Sequence, residues 1–121
     1  MILVDTSVWI DHFRSNDNDL VALLNNSQVL MHPYVSGELA CGNLANRAEV
    51  LHLLAALPQI STATDAEVQF FIEQRSLMGK GIGYIDAHLL AAVALDGSAK
   101  IWTRDKRLNK VAENLSFSRV V

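Results

Sequence analysis

Short aliphatic runs alternate with longer helical patterns along this chain, and this alternation restricts the possible folds more than any other feature. The first run, Ile2 to Val4, is wholly apolar and ends at Asp5. A continuous apolar run of this kind is typical of a strand buried on both faces, as in a parallel sheet. Four further strands are predicted at 28–32, around Ile60, at 100–103 and at 116–121.

Helical signals fill the segments between these strands. Thr64 and Glu67 have the spacing of a capping box, which opens a helix that runs to about Leu77. The other predicted helices cover 8–13, a segment opened by Asp17 and Asp19, 33 to about 44, 48–57, 84–95 and 104–114. Strands that alternate with helices imply right-handed crossovers and a mainly parallel sheet with helices on both faces. We therefore expect 1–121 to form a single α/β domain.

The composition narrows the class of protein. Half of the 121 residues are hydrophobic, which excludes a disordered chain, and no apolar run reaches the roughly 18 residues needed to cross a bilayer. The first residues lack the basic segment and cleavage site of a signal peptide. The lone cysteine, Cys41, cannot form an internal disulfide, which suits a reducing compartment. We expect a cytoplasmic protein with no membrane partner.

The charge pattern gives two opposing indications about nucleic acids. The net charge of -3 argues mildly against a nucleic-acid partner. However, five of the ten basic residues fall in one eleven-residue window, and Asp105 lies inside it. These five are Lys100, Arg104, Lys106, Arg107 and Lys110.

Four acids stand at positions where the predicted topology can bring them together. Asp5 directly follows the first strand and Asp105 closely follows the fourth, so both lie at the carboxyl edge of a parallel sheet, where ligands bind in α/β folds. Asp86 lies in the first turn of an apolar helix, behind a glycine-rich loop. Glu38 lies one turn inside the helix that follows the second strand.

Each acid also has a simpler interpretation. Asp86 and Asp105 fit acids that stabilise a helix N-terminus, and Glu38 alone fits an exposed surface acid. Asp5 is different, because a carboxylate at the end of a buried strand is costly unless it is paired, hydrogen-bonded or bound to a metal. Converging carboxylates repel, so that one must bind a proton or a cation must neutralise them.

The ligand types favour a hard cation. Carboxylate oxygens suit Mg²⁺ or Mn²⁺, whereas zinc would require cysteine or histidine, and the four histidines show no zinc-ligand spacing. Metal-assisted hydrolysis is the chemistry that such a site serves best.

The segments around these acids resemble the motifs of PIN domains, in particular those of VapC-type toxins of bacterial toxin–antitoxin pairs. Val4 to Ile10 resembles the opening motif of that family. The second, third and fourth acids match Glu38 in 35–39, Asp86 in 84–91 and Asp105 in 102–108. The resemblance covers essentially the whole chain, with all four acids present and in order.

The resemblance implies an α/β/α sandwich around a five-stranded parallel sheet. It also implies a Mg²⁺-dependent endoribonuclease with RNA as substrate, inhibition by a cognate VapB-like antitoxin, and frequent homodimerisation. Asp5 and Asp86 would be the principal metal ligands, and Glu38 and Asp105 would complete the acidic pocket. Thr6 and Thr103 either orient these carboxylates or are satisfied strand-end hydroxyls.

An acidic pocket repels RNA, so basic residues must contact the phosphates. Our candidates are Arg104, Lys106, Arg107, Lys110 and, on the glycine loop, Lys80. Each of them alone also fits a solvated helix face. The loop itself, 79–83, resembles a phosphate-binding loop only superficially, because it follows a helix and not a strand.

Three alternatives remain open at this point. A receiver-like signalling domain would need an acceptor aspartate after its central strand, and 59–62 offers none. A phosphatase with an Asp-x-Asp nucleophile is disfavoured because Ser7 replaces the second aspartate. A PIN-fold module that binds RNA or protein without cleaving it is disfavoured by the intact set of acids.

Overall fold

The computed structural model describes residues 1–119. Within that range the chain forms three strands, β1 (Ile2–Val4), β2 (Val29–Leu30) and β3 (Lys100–Trp102). It also forms the helices α1 (Thr6–Ser15), α2 (Asn18–Asn25), α3 (Pro33–Ala40), α4 (Arg47–Ala55), α5 (Asp65–Arg75), α6 (Tyr84–Asp96) and α7 (Lys106–Asn114). None of these helices is long and apolar enough to cross a membrane.

The sheet is parallel throughout, with the strand order β2-β1-β3. Leu3 of the central strand lies opposite Leu30 on one side and Ile101 on the other. One isolated parallel bridge extends the sheet at each edge, Met31 to Gln59 and Ile101 to Ser118.

Five strands were expected, and among residues 1–119 the third and fifth are present as these two bridges. At each bridge the chain exchanges a pair of backbone hydrogen bonds with the neighbouring segment. Val120 and Val121, the last residues of the predicted fifth strand, lie outside the described residues. The parallel α/β architecture is confirmed.

The strand order determines where the helices lie. The chain moves from β1 to β2 and on to Gln59 in one direction, and then crosses back to β3 and Ser118 in the other. Right-handed crossovers in opposite directions place helices on opposite faces of the sheet. Accordingly, α1 packs on α3, and α5 packs on α6. The sequence predicted helices on both faces of the sheet, and this topology agrees with that prediction.

The core forms where the apolar runs predicted it. Leu3, Val4 and Ile101 are completely buried, in agreement with strands covered on both faces. Helix α6 contains seven consecutive buried residues, Ala87 to Val93, because its many alanines allow close packing all round. The acid at its start is therefore carried by a rigid central element.

Most predicted helix ends are confirmed by the local hydrogen bonds. The Thr64–Glu67 capping box opens α5, with bonds of 2.8 and 3.1 Å, and Gly97 ends α6 at φ +86°. Helix α3 ends at Ala40, four residues earlier than predicted. There the guanidinium of Arg47 donates to the carbonyls of Ala40 and Gly42, at 2.6 and 3.0 Å, and satisfies the end of the helix.

Candidate active site

Asp5 lies at the junction of β1 and α1, and its carboxylate is almost fully buried at 7% exposure. One oxygen, Oδ2, accepts hydrogen bonds from the hydroxyls of Ser7 and Thr103, at 2.7 and 2.8 Å, and a weaker one from the Ser7 N–H. The predicted orienting role of Thr103 agrees with this contact. Ser7 was not singled out from the sequence, although a serine two residues after a helix-capping aspartate is well placed to reach it.

Glu38 lies on α3 and faces the start of α1. Its Oε1 accepts a hydrogen bond of 2.8 Å from the hydroxyl of Thr6. Val35 and Leu39, which flank Glu38 on α3, are buried in the core and fix the rotation of the helix. Glu38 is therefore not an independent surface acid, since its position depends on the residue that follows Asp5.

Asp105 caps the N-terminus of α7. Its Oδ1 accepts a hydrogen bond of 2.9 Å from the Leu108 N–H, as the helix-capping interpretation predicts. Its own N–H donates to the hydroxyl oxygen of Thr103 at 3.1 Å, and that hydroxyl donates to Asp5. The capping role and a place in the acid group are thus compatible.

Asp86 lies in the first turn of α6, where its Oδ2 accepts a hydrogen bond of 3.1 Å from the Gly83 N–H. The pKa of Asp86 is raised, first by burial and then by the negative charges of Asp5, Asp105 and Glu38, against the lowering effect of the Gly83 bond. Asp5, Asp105 and Glu38 are therefore close enough to act on Asp86, and we call these four residues the acid cluster.

Basic side chains do not neutralise the acid cluster. Among residues 1–119 the ion pairs are His88 with Asp65, and Arg104 with Asp11 and Asp17. None of them includes a member of the cluster. Helix dipoles supply the compensation that cations do not, because Asp5, Asp86 and Asp105 each lie at the N-terminus of a helix.

The donor set of the acid cluster fits a hard divalent cation. In every one of the four carboxylates a single oxygen accepts the hydrogen bonds described above, and within residues 1–119 the second oxygen accepts none. Across the same residues no three acidic, histidine or cysteine side chains already stand in a metal-binding geometry. The cluster therefore offers oxygen ligands of the right type, and a cation would draw them together.

The basic candidates fall into two groups. Arg104 is engaged, because its guanidinium bonds Asp11 at 2.6 Å and also Asp17. Arg107 lies against the glycine loop, since a Cβ placed on Gly81 would come within 2.7 Å of the Arg107 Cδ. This contact brings Lys80 of the same loop to the start of α7. Lys106 and Lys110, also candidates, are exposed on α7.

Comparison with known proteins supports the assignment suggested by the motifs. A family model described as the PIN domain matches residues 2–114. Ribonuclease VapC32 of Mycobacterium tuberculosis, strains CDC 1551 / Oshkosh and ATCC 25618 / H37Rv, is 52% identical over 108 residues, which cover 89% of this chain and 87% of the relative. These matches argue against the receiver-like and phosphatase alternatives.

Proposed function

This chain belongs to the PIN-domain family, as a VapC-type ribonuclease, and we propose that it is a Mg²⁺-dependent endoribonuclease of a toxin–antitoxin pair that hydrolyses RNA at the acid cluster. One observation carries the proposal most directly: burial and the charges of Asp5, Asp105 and Glu38 raise the pKa of Asp86, and no basic side chain among residues 1–119 pairs with these acids. Such an arrangement is unfavourable without a cation and favourable with one.

Asp5 and Asp86 would hold the metal ion, with Glu38 and Asp105 completing the site. When bound, Mg²⁺ or Mn²⁺ activates water and stabilises charge on the scissile phosphate. The chain supplies the positioning. Ser7 and Thr103 fix the Asp5 carboxylate through bonds to a single oxygen, and the other oxygen would be available to a ligand.

The partners follow from the same assignment. Exposed cations at Lys80, Lys106, Arg107 and Lys110 would contact RNA phosphates beside the cluster. Arg104 would contribute less, because two carboxylates already share its charge. The relative's name supports RNA as the substrate. The proposal also includes inhibition by a VapB-like antitoxin, assembly as a homodimer and a cytoplasmic location.

The test is a cleavage assay with purified protein that carries no bound antitoxin. End-labelled RNA is incubated with Mg²⁺, with Mg²⁺ plus EDTA, and with the variants Asp5→Asn and Asp86→Asn. We expect cleavage only by the unmodified protein in Mg²⁺.

Asp19→Asn is the matched control, because Asp19 is an exposed acid on α2 outside the cluster. It should cleave as well as the unmodified protein. Equal cleavage by all samples would refute the proposal, and binding of RNA without any cleavage would favour the non-cleaving PIN-fold alternative.

A further inference from the structure

Two exposed aromatic rings lie on the helices that carry Glu38 and Asp86, and they have no part in the chemistry proposed above. Tyr34 lies on α3, one turn before Glu38, and Tyr84 lies on α6, two residues before Asp86. Residues four apart lie on the same face of a helix, so Tyr34 lies beside Glu38 of the acid cluster, and Tyr84 is linked to Tyr34 by the contacts described next. The two tyrosines are 39% and 42% exposed.

The imidazole of His88 joins the two rings. Its centroid lies 4.8 Å from that of Tyr34 and 4.7 Å from that of Tyr84, with interplanar angles of 66° and 89°. These are edge-to-face contacts, which aromatic pairs prefer. Because His88 is only 2% exposed, the accessible surface of this aromatic group belongs to the tyrosines.

A hydrogen bond to Asp65 fixes the position of Tyr84. The tyrosine hydroxyl donates to Asp65 Oδ1 at 2.9 Å, and the His88 Nε2 lies 3.0 Å from the same oxygen. Asp65 is the first residue of α5, so the starts of α5 and α6 are tied together at this point. A ring bonded at one end and packed along its side loses little further freedom when a ligand stacks on it.

We propose that Tyr84, positioned by Asp65 and His88, is a stacking platform for an unpaired base of the RNA, with Tyr34 beside it as a second stacking surface. The proposal rests on the ribonuclease function proposed above, because a phosphodiester held at the acid cluster would bring its flanking bases to these rings. Stacking on an aromatic side chain needs no particular base, since every base has a π-face.

The test compares binding of two single-stranded probes with the same number of phosphates. One is an oligoadenylate RNA of about 12 nucleotides, a length within the usual range for single-strand sites, and the other is its abasic counterpart. Binding is measured by fluorescence anisotropy in Ca²⁺, a hard cation that carboxylate oxygens also bind, and gel electrophoresis after the measurement checks that each probe is intact. Tyr84→Ala should weaken binding of oligoadenylate by roughly 5- to 100-fold and leave binding of the abasic probe within about 2-fold.

Two further variants test whether the aromatic ring of Tyr84 is the group that binds the base. Tyr84→Phe keeps the ring and loses the bond to Asp65, so we expect it to retain most of the affinity for oligoadenylate. Phe70→Ala is the matched control, because Phe70 is an aromatic residue of α5 with 65% exposure. It should bind both probes as the unmodified protein does.

Three results would overturn the proposal: no loss in Tyr84→Ala, an equal loss on both probes, or a loss in Tyr84→Phe as large as in Tyr84→Ala. Circular dichroism checks the fold of every variant. If Tyr84→Ala does not fold, Tyr84→Leu keeps apolar bulk against His88 without an aromatic face, and the same expectations apply. Because binding of intact probe and cleavage are separate readouts, either proposal can fail alone.

Discussion

The Thr103 hydroxyl donates a hydrogen bond to Asp5 Oδ2 over 2.8 Å and accepts one from the Asp105 N–H over 3.1 Å. One small side chain thus links the carboxylate at the end of β1 to the cap of α7, although Thr103 and Asp5 are 98 residues apart. Because Thr103 is buried, no water can easily replace its hydroxyl.

We predict that Thr103→Val reduces cleavage. Valine keeps the shape of threonine and removes the hydroxyl, and a hydrogen bond to a charged group contributes about 1.5–3 kcal/mol. If that contribution holds Asp5 in its productive position, kcat/KM should fall roughly 10-fold or more. Thr103→Ser keeps the hydroxyl and should retain most of the activity. Unchanged kcat/KM in the valine variant would contradict the prediction.

Asp86→Asn should stabilise the protein while abolishing cleavage. The folded state raises the pKa of Asp86, so above that pKa it holds the charge at a cost that asparagine removes. In EDTA the variant should therefore have a higher Tm than the unmodified protein, by a few degrees. Adding Mg²⁺ should raise the Tm of the unmodified protein and have little effect on the variant. A variant with a lower Tm in EDTA would show that Asp86 is not under repulsion.

The pKa of Asp86, which burial and the neighbouring acids raise, should set the pH at which activity falls on the acidic side of the pH–rate profile. A raised pKa means that Asp86 binds a proton at a higher pH than an ordinary aspartate, and activity should fall as the pH decreases through that value. Glu38→Gln removes one negative neighbour, so the pKa should drop and the limb should move to lower pH. The residual kcat/KM of this variant is measured across the pH range. A shift of its acidic limb to higher pH would contradict the prediction.

Arg104 and the lysines of α7 should respond differently to substitution. Affinity for RNA falls as the salt concentration rises. In Lys106→Gln and in Lys110→Gln the magnitude of the slope of log affinity against log salt should decrease by roughly 0.7, the value for one contact to a single-stranded phosphate. Arg104→Gln should barely change that slope. It breaks the ion pairs with Asp11 and Asp17 and should cost up to about 1 kcal/mol of unfolding free energy, measured in urea. If Arg104→Gln instead reduced the slope by the full ~0.7 expected for one phosphate contact, RNA would displace those ion pairs.

His32 should make the protein less stable in acid. Its pKa is lowered to about 4, first by burial and then by the charge of His88, so its contribution is fully present above pH 6.5 and is lost as the pH falls toward 4. The expected loss in unfolding free energy is roughly 1–3 kcal/mol. His32 also caps α3 through its Nδ1, which accepts the Tyr34 N–H at 3.0 Å.

The matched variant for this test is His32→Asn, because asparagine can cap the helix but does not titrate in this range. Urea unfolding at pH 7 and pH 5 should show a smaller pH dependence for the variant than for the unmodified protein. An identical pH dependence would assign the acid sensitivity to other groups.

Local signals in the sequence were sufficient for most of the secondary structure. The capping box of Thr64 and Glu67 and the glycine at the end of α6 were predicted correctly, because each depends on partners within four residues. Among the described residues, the strands predicted near Ile60 and at 116–121 each appear as a single bridge. A short apolar run indicates burial, whereas the number of ladder bonds depends on how far two chains stay side by side.

The sequence by itself determined that Asp5, Asp86 and Asp105 lie at strand ends or helix starts and that Glu38 lies one turn inside a helix, and the chain order of these elements predicted that they would converge. Only the tertiary structure decided which hydroxyl holds which carboxylate: Thr6 bonds Glu38, 32 residues away, and Ser7 joins Thr103 on Asp5. It also decided that Arg104 forms ion pairs with Asp11 and Asp17. The reason is physical, because such pairings depend on strand register and helix rotation, which are set by packing of the whole core and not by neighbours in the chain.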